Sequence, residues 1–122
     1  MARPHLTPGR THPITITPYD GRVTVRLGDR VLAVTERALE LREASYPPVL
    51  YVPREDADAE AFTASTKQTY CPYKGDASYP AIRGEDGEVT GAVWTYEDPY
   101  DAVAPIAGHL AFYPDKVTID VA

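Results

Sequence analysis

Sulfur is nearly missing from this chain of 122 residues, which holds one cysteine and one methionine. A single thiol excludes an internal disulfide and a thiolate-rich metal site, both of which need several cysteines. No apolar run approaches the ~20 residues that cross a membrane as a helix. The segment Met1–Pro13 is polar and lacks the apolar stretch of a secretory signal. The expectation is a cytoplasmic protein with no membrane partner. Positive charge is also short: 12 Lys and Arg stand against 18 Asp and Glu, a formal charge of −6, and the basic residues are scattered. An acidic surface without a basic patch repels a phosphate backbone, so nucleic acid is not an expected partner. There is no glycine-rich phosphate loop. Glu97 and Asp98 are adjacent and point apart on a strand, whereas acid–base catalysis wants two carboxylates that converge. No metal site or cofactor is expected.

What the chain does have is proline and tyrosine. Its 12 prolines are about twice average usage. Scattered as they are, they argue against long helices and for short strands joined by turns. Nine tyrosines against two phenylalanines mean aromatic surface that keeps a polar tip. The length suits one domain with a real core.

Residues 1–13 have no periodicity and are expected to form a disordered or loosely packed tail, with His5 and His12 in it. A single β-rich domain is expected over 14–122. Ile14 and Ile16 share a face. Val23, Val25 and Leu27 alternate with Arg22, Thr24 and Arg26, and Gly28-Asp29 reads as a hairpin loop into a return strand. Leu39 and Leu41 alternate with Glu40 and Arg42, which favours a strand over the helix that propensity alone allows. Residues 54–64, with acids first and alanines after, read as a short helix. Strands follow over 66–71, 77–83 and 88–96, then a helical turn over 99–108 broken at Pro105, and strands over 109–113 and 117–121. The expected fold is mainly β: about eight short, mostly antiparallel strands in a curled, tent- or barrel-like sheet, with one or two short helices.

Two stretches carry the unusual side chains. Tyr70–Tyr79 holds the only cysteine, three tyrosines, Lys74 and Asp76 around a sharp bend at Gly75. Trp94–Tyr100 answers it with Trp94, Tyr96 and Tyr100. Together they predict one ligand-binding corner formed by Arg42, Tyr51, Cys71, Tyr73, Lys74, Gly75, Tyr79, Trp94 and Tyr96. In it, Lys74 and Arg42 serve as polar anchors and the aromatics as walls. Cys71 is a nucleophile only if a cation such as Lys74 lowers its pKa; otherwise it is a small buried packing residue. Cys71 and Lys74 are therefore the catalytic candidates of an enzymatic reading.

The same residues carry a family resemblance. Arg42-Glu43, Tyr46-Pro47-Pro48-Val49, Tyr51-x-Pro53-Arg54-Glu55-Asp56, Cys71-Pro72-Tyr73-Lys74-Gly75-Asp76-Ala77-Ser78-Tyr79, Ala92–Pro99 and Ile106–Pro114 resemble the bacterial family known as domain of unknown function 427, over roughly residues 14 to 119. The resemblance implies a compact β-rich domain and no established activity. Three functions fit: a small-molecule-binding domain with an aromatic, lysine-lined pocket whose ligand is anionic or aromatic; a Cys- or Lys-dependent transferase or hydrolase acting on a small metabolite; or a structural protein that pairs as a homodimer through a tyrosine-rich edge.

Overall fold

The computed structural model describes residues 3–122. The protein is mainly β, with thirteen short strands: β1 (Ile14–Pro18), β2 (Val23–Leu27), β3 (Arg30–Thr35), β4 (Leu39–Glu43), β5 (Val49–Tyr51), β6 (Phe62–Thr63), β7 (Gln68–Cys71), β8 (Gly75–Ser78), β9 (Ala81–Gly84), β10 (Gly87–Val89), β11 (Val93–Thr95), β12 (Leu110–Phe112) and β13 (Thr118–Val121). Among the described residues they form four antiparallel sheets in the orders β1-β4-β5, β13-β2-β3, β10-β9-β6 and β12-β11-β8-β7, none closed into a barrel. The Gly28-Asp29 hairpin forms as expected, with Leu27 opposite Arg30. Residues 39–43 are a strand paired with both β1 and β5.

The strands outnumber the eight expected because proline and glycine cut the longer ones. The strand expected over 77–83 breaks at Tyr79-Pro80, so that β8 and β9 join different sheets. The strand expected over 88–96 breaks near Gly91, which sits at φ +72°. The helix expected over 54–64 is instead two 3-10 turns, Arg54–Asp56 and Ala59–Ala61, the second capped by Asp58. Long-range pairing wins here over local propensity. Ala57 bridges to Ala33, and Asp58 N–H donates to the Leu32 carbonyl at 2.8 Å, so the backbone between the turns belongs to the edge of β3. The turn at Asp101–Ile106 is bent at Val103 and carries Pro105.

Alternation places the core. Val23 and Val25 of β2 pack with Leu32, Ile82, Val93 and Leu110 in one buried cluster. Leu41, Tyr51, Ala77, Tyr96, Val103 and Ile106 form a second, between the β1-β4-β5 sheet and the four-stranded sheet. Each fully buried Leu or Ile contributes about 1.5–3 kcal/mol. The two sheets around the second cluster are stitched by a reciprocal backbone pair, Val52 with Leu110, both bonds 2.8 Å.

Candidate functional site

The site starts from a turn. Lys74 N–H donates to the Cys71 carbonyl at 3.2 Å, with Pro72 at the second turn position, where its fixed φ fits. Gly75 follows at φ +104°, a region closed to most side chains. It lets the chain re-enter β8 opposite Cys71. Tyr100 N–H donates to the Lys74 carbonyl at 3.0 Å and fixes the turn from outside. The result is a lysine held inward, only 7% exposed.

Inside, the Lys74 ammonium donates to Glu43 Oε1 and lies 3.9 Å from Cys71 Sγ. Glu43 ends β4 on the face of Leu39 and Leu41, so the strand's period of two carries the carboxylate inward at the rim of the second core cluster. Its Oε2 accepts from His12 Nε2 at 2.7 Å. The His12 ring is stacked on Tyr73, centroids 3.9 Å apart. Burial pushes the Glu43 carboxyl up, but the hydrogen bonds from Lys74 and His12 outweigh it, and its pKa ends below the ordinary value. Glu43 is ionised at neutral pH and offsets the charge of Lys74.

Register places the aromatics. On the four-stranded sheet, Cys71, Ala77, Trp94 and Ala111 share one face. Ala77 and Ala111 are buried in the second core cluster with Tyr51 and Tyr96, and Cys71 and Trp94 lie partly exposed at its edge. Trp94 Nε1–H donates to the Tyr51 hydroxyl at 3.3 Å with the rings nearly perpendicular, and its other neighbour is Tyr113 at 4.5 Å between centroids. Tyr79 meets the Thr69 hydroxyl at 2.8 Å. Burial pushes the phenols of Tyr51 and Tyr96 far above their ordinary values, so both stay protonated.

Of the nine expected site residues, Tyr51, Cys71, Lys74, Trp94 and Tyr96 gather around this corner, Tyr79 borders it, and Tyr73 and Gly75 form its turn. Arg42 is not brought in: it points off the opposite face of β4, exposed, with its Nε donating to Glu40 at 2.8 Å. Glu43 and His12 are the residues sequence reasoning missed. The period of two from Leu39 and Leu41 puts Glu43 on the inward face, but its partners Lys74 and His12 are each 31 positions away, where no local pattern reaches.

The segment before β1 completes the corner. Leu6 N–H donates to the Pro72 carbonyl at 2.9 Å. Arg3 forms a fork on Asp76 at 2.5 and 3.1 Å and lies 4.1 Å from the centre of the Tyr70 ring. His5 stacks on Tyr100 at 3.7 Å. Residues 3–12 thus run along the outside of the Tyr70–Asp76 hairpin, and Met1 and Ala2 of the expected tail lie outside the described residues. Among the described residues, no three His, Cys, Asp or Glu side chains are grouped to hold a metal.

This arrangement defines a small antiparallel β domain with a buried ion pair behind a Cys-Pro-Tyr-Lys-Gly turn. The chain belongs to the family described as Domain of unknown function (DUF427), which it matches over residues 15–122. No curated protein matches it.

Proposed function

We propose that this domain binds a small aromatic molecule at the corner between the Cys71–Gly75 turn and β11. Trp94, Tyr79 and Tyr113 would offer the ligand its aromatic surface, with the partly exposed Cys71 beside them and the Tyr51 hydroxyl held by Trp94 behind. The observation that carries this reading is the Lys74–Glu43 pair beside the thiol, buried at the inner end of an aromatic face. A buried ion pair adds little stability over an apolar pair of the same volume. Polar groups held at the end of an apolar, aromatic surface are what orients a ligand. Because Glu43 offsets Lys74, the corner favours a flat, hydrogen-bonding ligand over an anion, and offset stacking on Trp94 supplies affinity.

The only tryptophan of the chain is Trp94, so its emission reports on this site alone. Titration with a panel of heteroaromatic metabolites should quench or shift that emission saturably for at least one member, and Lys74→Met should abolish the response. A panel that leaves the emission unchanged, or a response indifferent to Lys74→Met, defeats the reading. The Cys71 thiol 3.9 Å from the Lys74 ammonium favours a second reading, a thiol-dependent enzyme. It requires rapid alkylation of Cys71 by iodoacetamide in the folded protein at neutral pH; reaction only after denaturation ends it.

A further inference from the structure

The opposite side of the four-stranded sheet holds a cleft of about 320 Å³, at the lower end of the range of small-molecule pockets. Phe62 and Leu110 give it an apolar lining, and Ser65 and Ser78 add hydroxyls. Arg54 and Glu97 also line it, both more than half exposed, with Arg54 Nη2 donating to Glu97 Oε1 at 3.2 Å and Arg54 Nε donating to the Gly108 carbonyl at 3.4 Å. These are long bonds, and a guanidinium has five N–H groups, so Arg54 keeps donors free for a carboxylate fork.

A second observation lies under the floor. Thr95 is fully buried, and its hydroxyl has no hydrogen-bond partner among the described residues. Its register partners on either side, Ser78 and Leu110, both line the cleft, which puts Thr95 on the cleft side of β11. Leaving a buried hydroxyl unpaired is destabilising. A buried hydroxyl without a partner calls for an explanation beyond packing, and a polar molecule or water reaching it from the cleft side is one.

The geometry points to a site for a free α-amino acid with an apolar side chain: its carboxylate on the Arg54 guanidinium, its ammonium on Glu97, its side chain against Phe62 and Leu110. A cation and an anion side by side at an apolar cleft match a zwitterion, whereas a simple anion meets Glu97 and a simple amine meets Arg54. This site borders the aromatic corner at Tyr79, which lines the cleft as well, but its ligand-holding groups are its own.

The test is ¹⁵N-resolved NMR of the full chain titrated with L-leucine and L-phenylalanine, alongside their N-acetyl and carboxamide derivatives. The free amino acids should shift the Ser65, Ser78 and Glu97 amides saturably in the millimolar range, with Trp94 emission unchanged. Both derivatives, and both Arg54→Gln and Glu97→Gln, should weaken binding at least tenfold. Ser65→Trp should fill the cleft and abolish the shifts while leaving far-UV circular dichroism intact. Free and blocked ligands that bind alike, shifts that survive Ser65→Trp, or no shift at all would overturn the assignment. Because Lys74→Met removes the aromatic corner's response and should leave these shifts untouched, failure of one site is distinguishable from failure of the other.

Discussion

Lys74 is tolerable in the interior because of Glu43, and Glu43 because of Lys74 and His12 together. Lys74 is 7% exposed and the Glu43 side chain 13%, so removing either partner strands a charge away from water. Glu43→Gln or Lys74→Met alone should cost about 3 kcal/mol in urea denaturation. The double variant Glu43→Leu/Lys74→Met should recover most of that loss, since an apolar pair needs no partner. A double variant as unstable as the sum of the singles would show that the pair is not a closed unit. Ala44, just after Glu43, sits at φ +47°, the left-handed region that disfavours a β-carbon. Ala44→Gly should raise stability by about 0.5–1 kcal/mol, the strain relieved less the extra chain entropy of glycine, seen as a melting point about 2–5 °C higher. At this scale the sequence was half legible. The aromatic and thiol residues announced themselves by composition. Glu43 and His12 did not, because what makes them matter is a contact across 31 positions that no local pattern encodes.

The Cys71–Gly75 turn and the segment along its outside act together. Gly75→Ala adds a β-carbon that meets only ordinary contacts, the nearest at 3.7 Å from the Asp98 carbonyl oxygen. Its cost is therefore backbone strain, about 1–3 kcal/mol, and it should displace Lys74 and quench the Trp94 response more than it lowers the melting point. Deleting residues 1–12 removes the His12 bond to Glu43 and the fork from Arg3 to Asp76. Faster amide exchange through the Tyr70–Asp76 hairpin is the expected result, read by hydrogen–deuterium exchange; unchanged protection would mean the segment contributes nothing to that hairpin. Element type was legible where a period of two was unbroken, as in β2 and β4; in β3 the register slips at Leu32, and Leu32 and Ala33 are both buried. It failed at 54–64, where acidic and alanine residues write a helix. The edge of β3 takes the backbone at Ala57 and Asp58 instead, and two 3-10 turns are all that remains between those anchors.

Across the whole molecule, stability has an acid edge and an alkaline edge. Glu43, Asp56 and Asp76 all titrate below their ordinary values in the folded protein, held down by Lys74 and His12, by Arg37, and by Arg3 respectively. Their contribution is complete above the unfolded carboxyl range near pH 4 and is lost as pH falls through the lower folded values. Tyr51 and Tyr96 are raised by burial, and Tyr70 is pushed up to about 12, first by desolvation and then by Tyr100. Their contribution is complete below the unfolded phenol value near 10 and is lost above it. A pH series of urea midpoints should be flat between about pH 5 and 9 and fall on both sides. Absorbance at the tyrosinate band should show part of the nine tyrosines ionising only as far-UV circular dichroism collapses. A full, reversible tyrosinate titration of the intact fold would refute the alkaline half.

The strand that closes the fold comes late. β2 lies between β3, its immediate successor, and β13, joined to it by pairs such as Arg26 with Asp120, 94 positions apart. During synthesis the β2–β3 hairpin must therefore wait with one edge open and Val23 and Val25 incompletely covered until the last of these residues leaves the ribosome. Pairings this distant in sequence form slowly, and an open edge is where growing chains stick to one another. The yield of folded protein in a cell should fall the longer that edge stays unmatched, and truncation before Thr118 should send the product to the insoluble fraction.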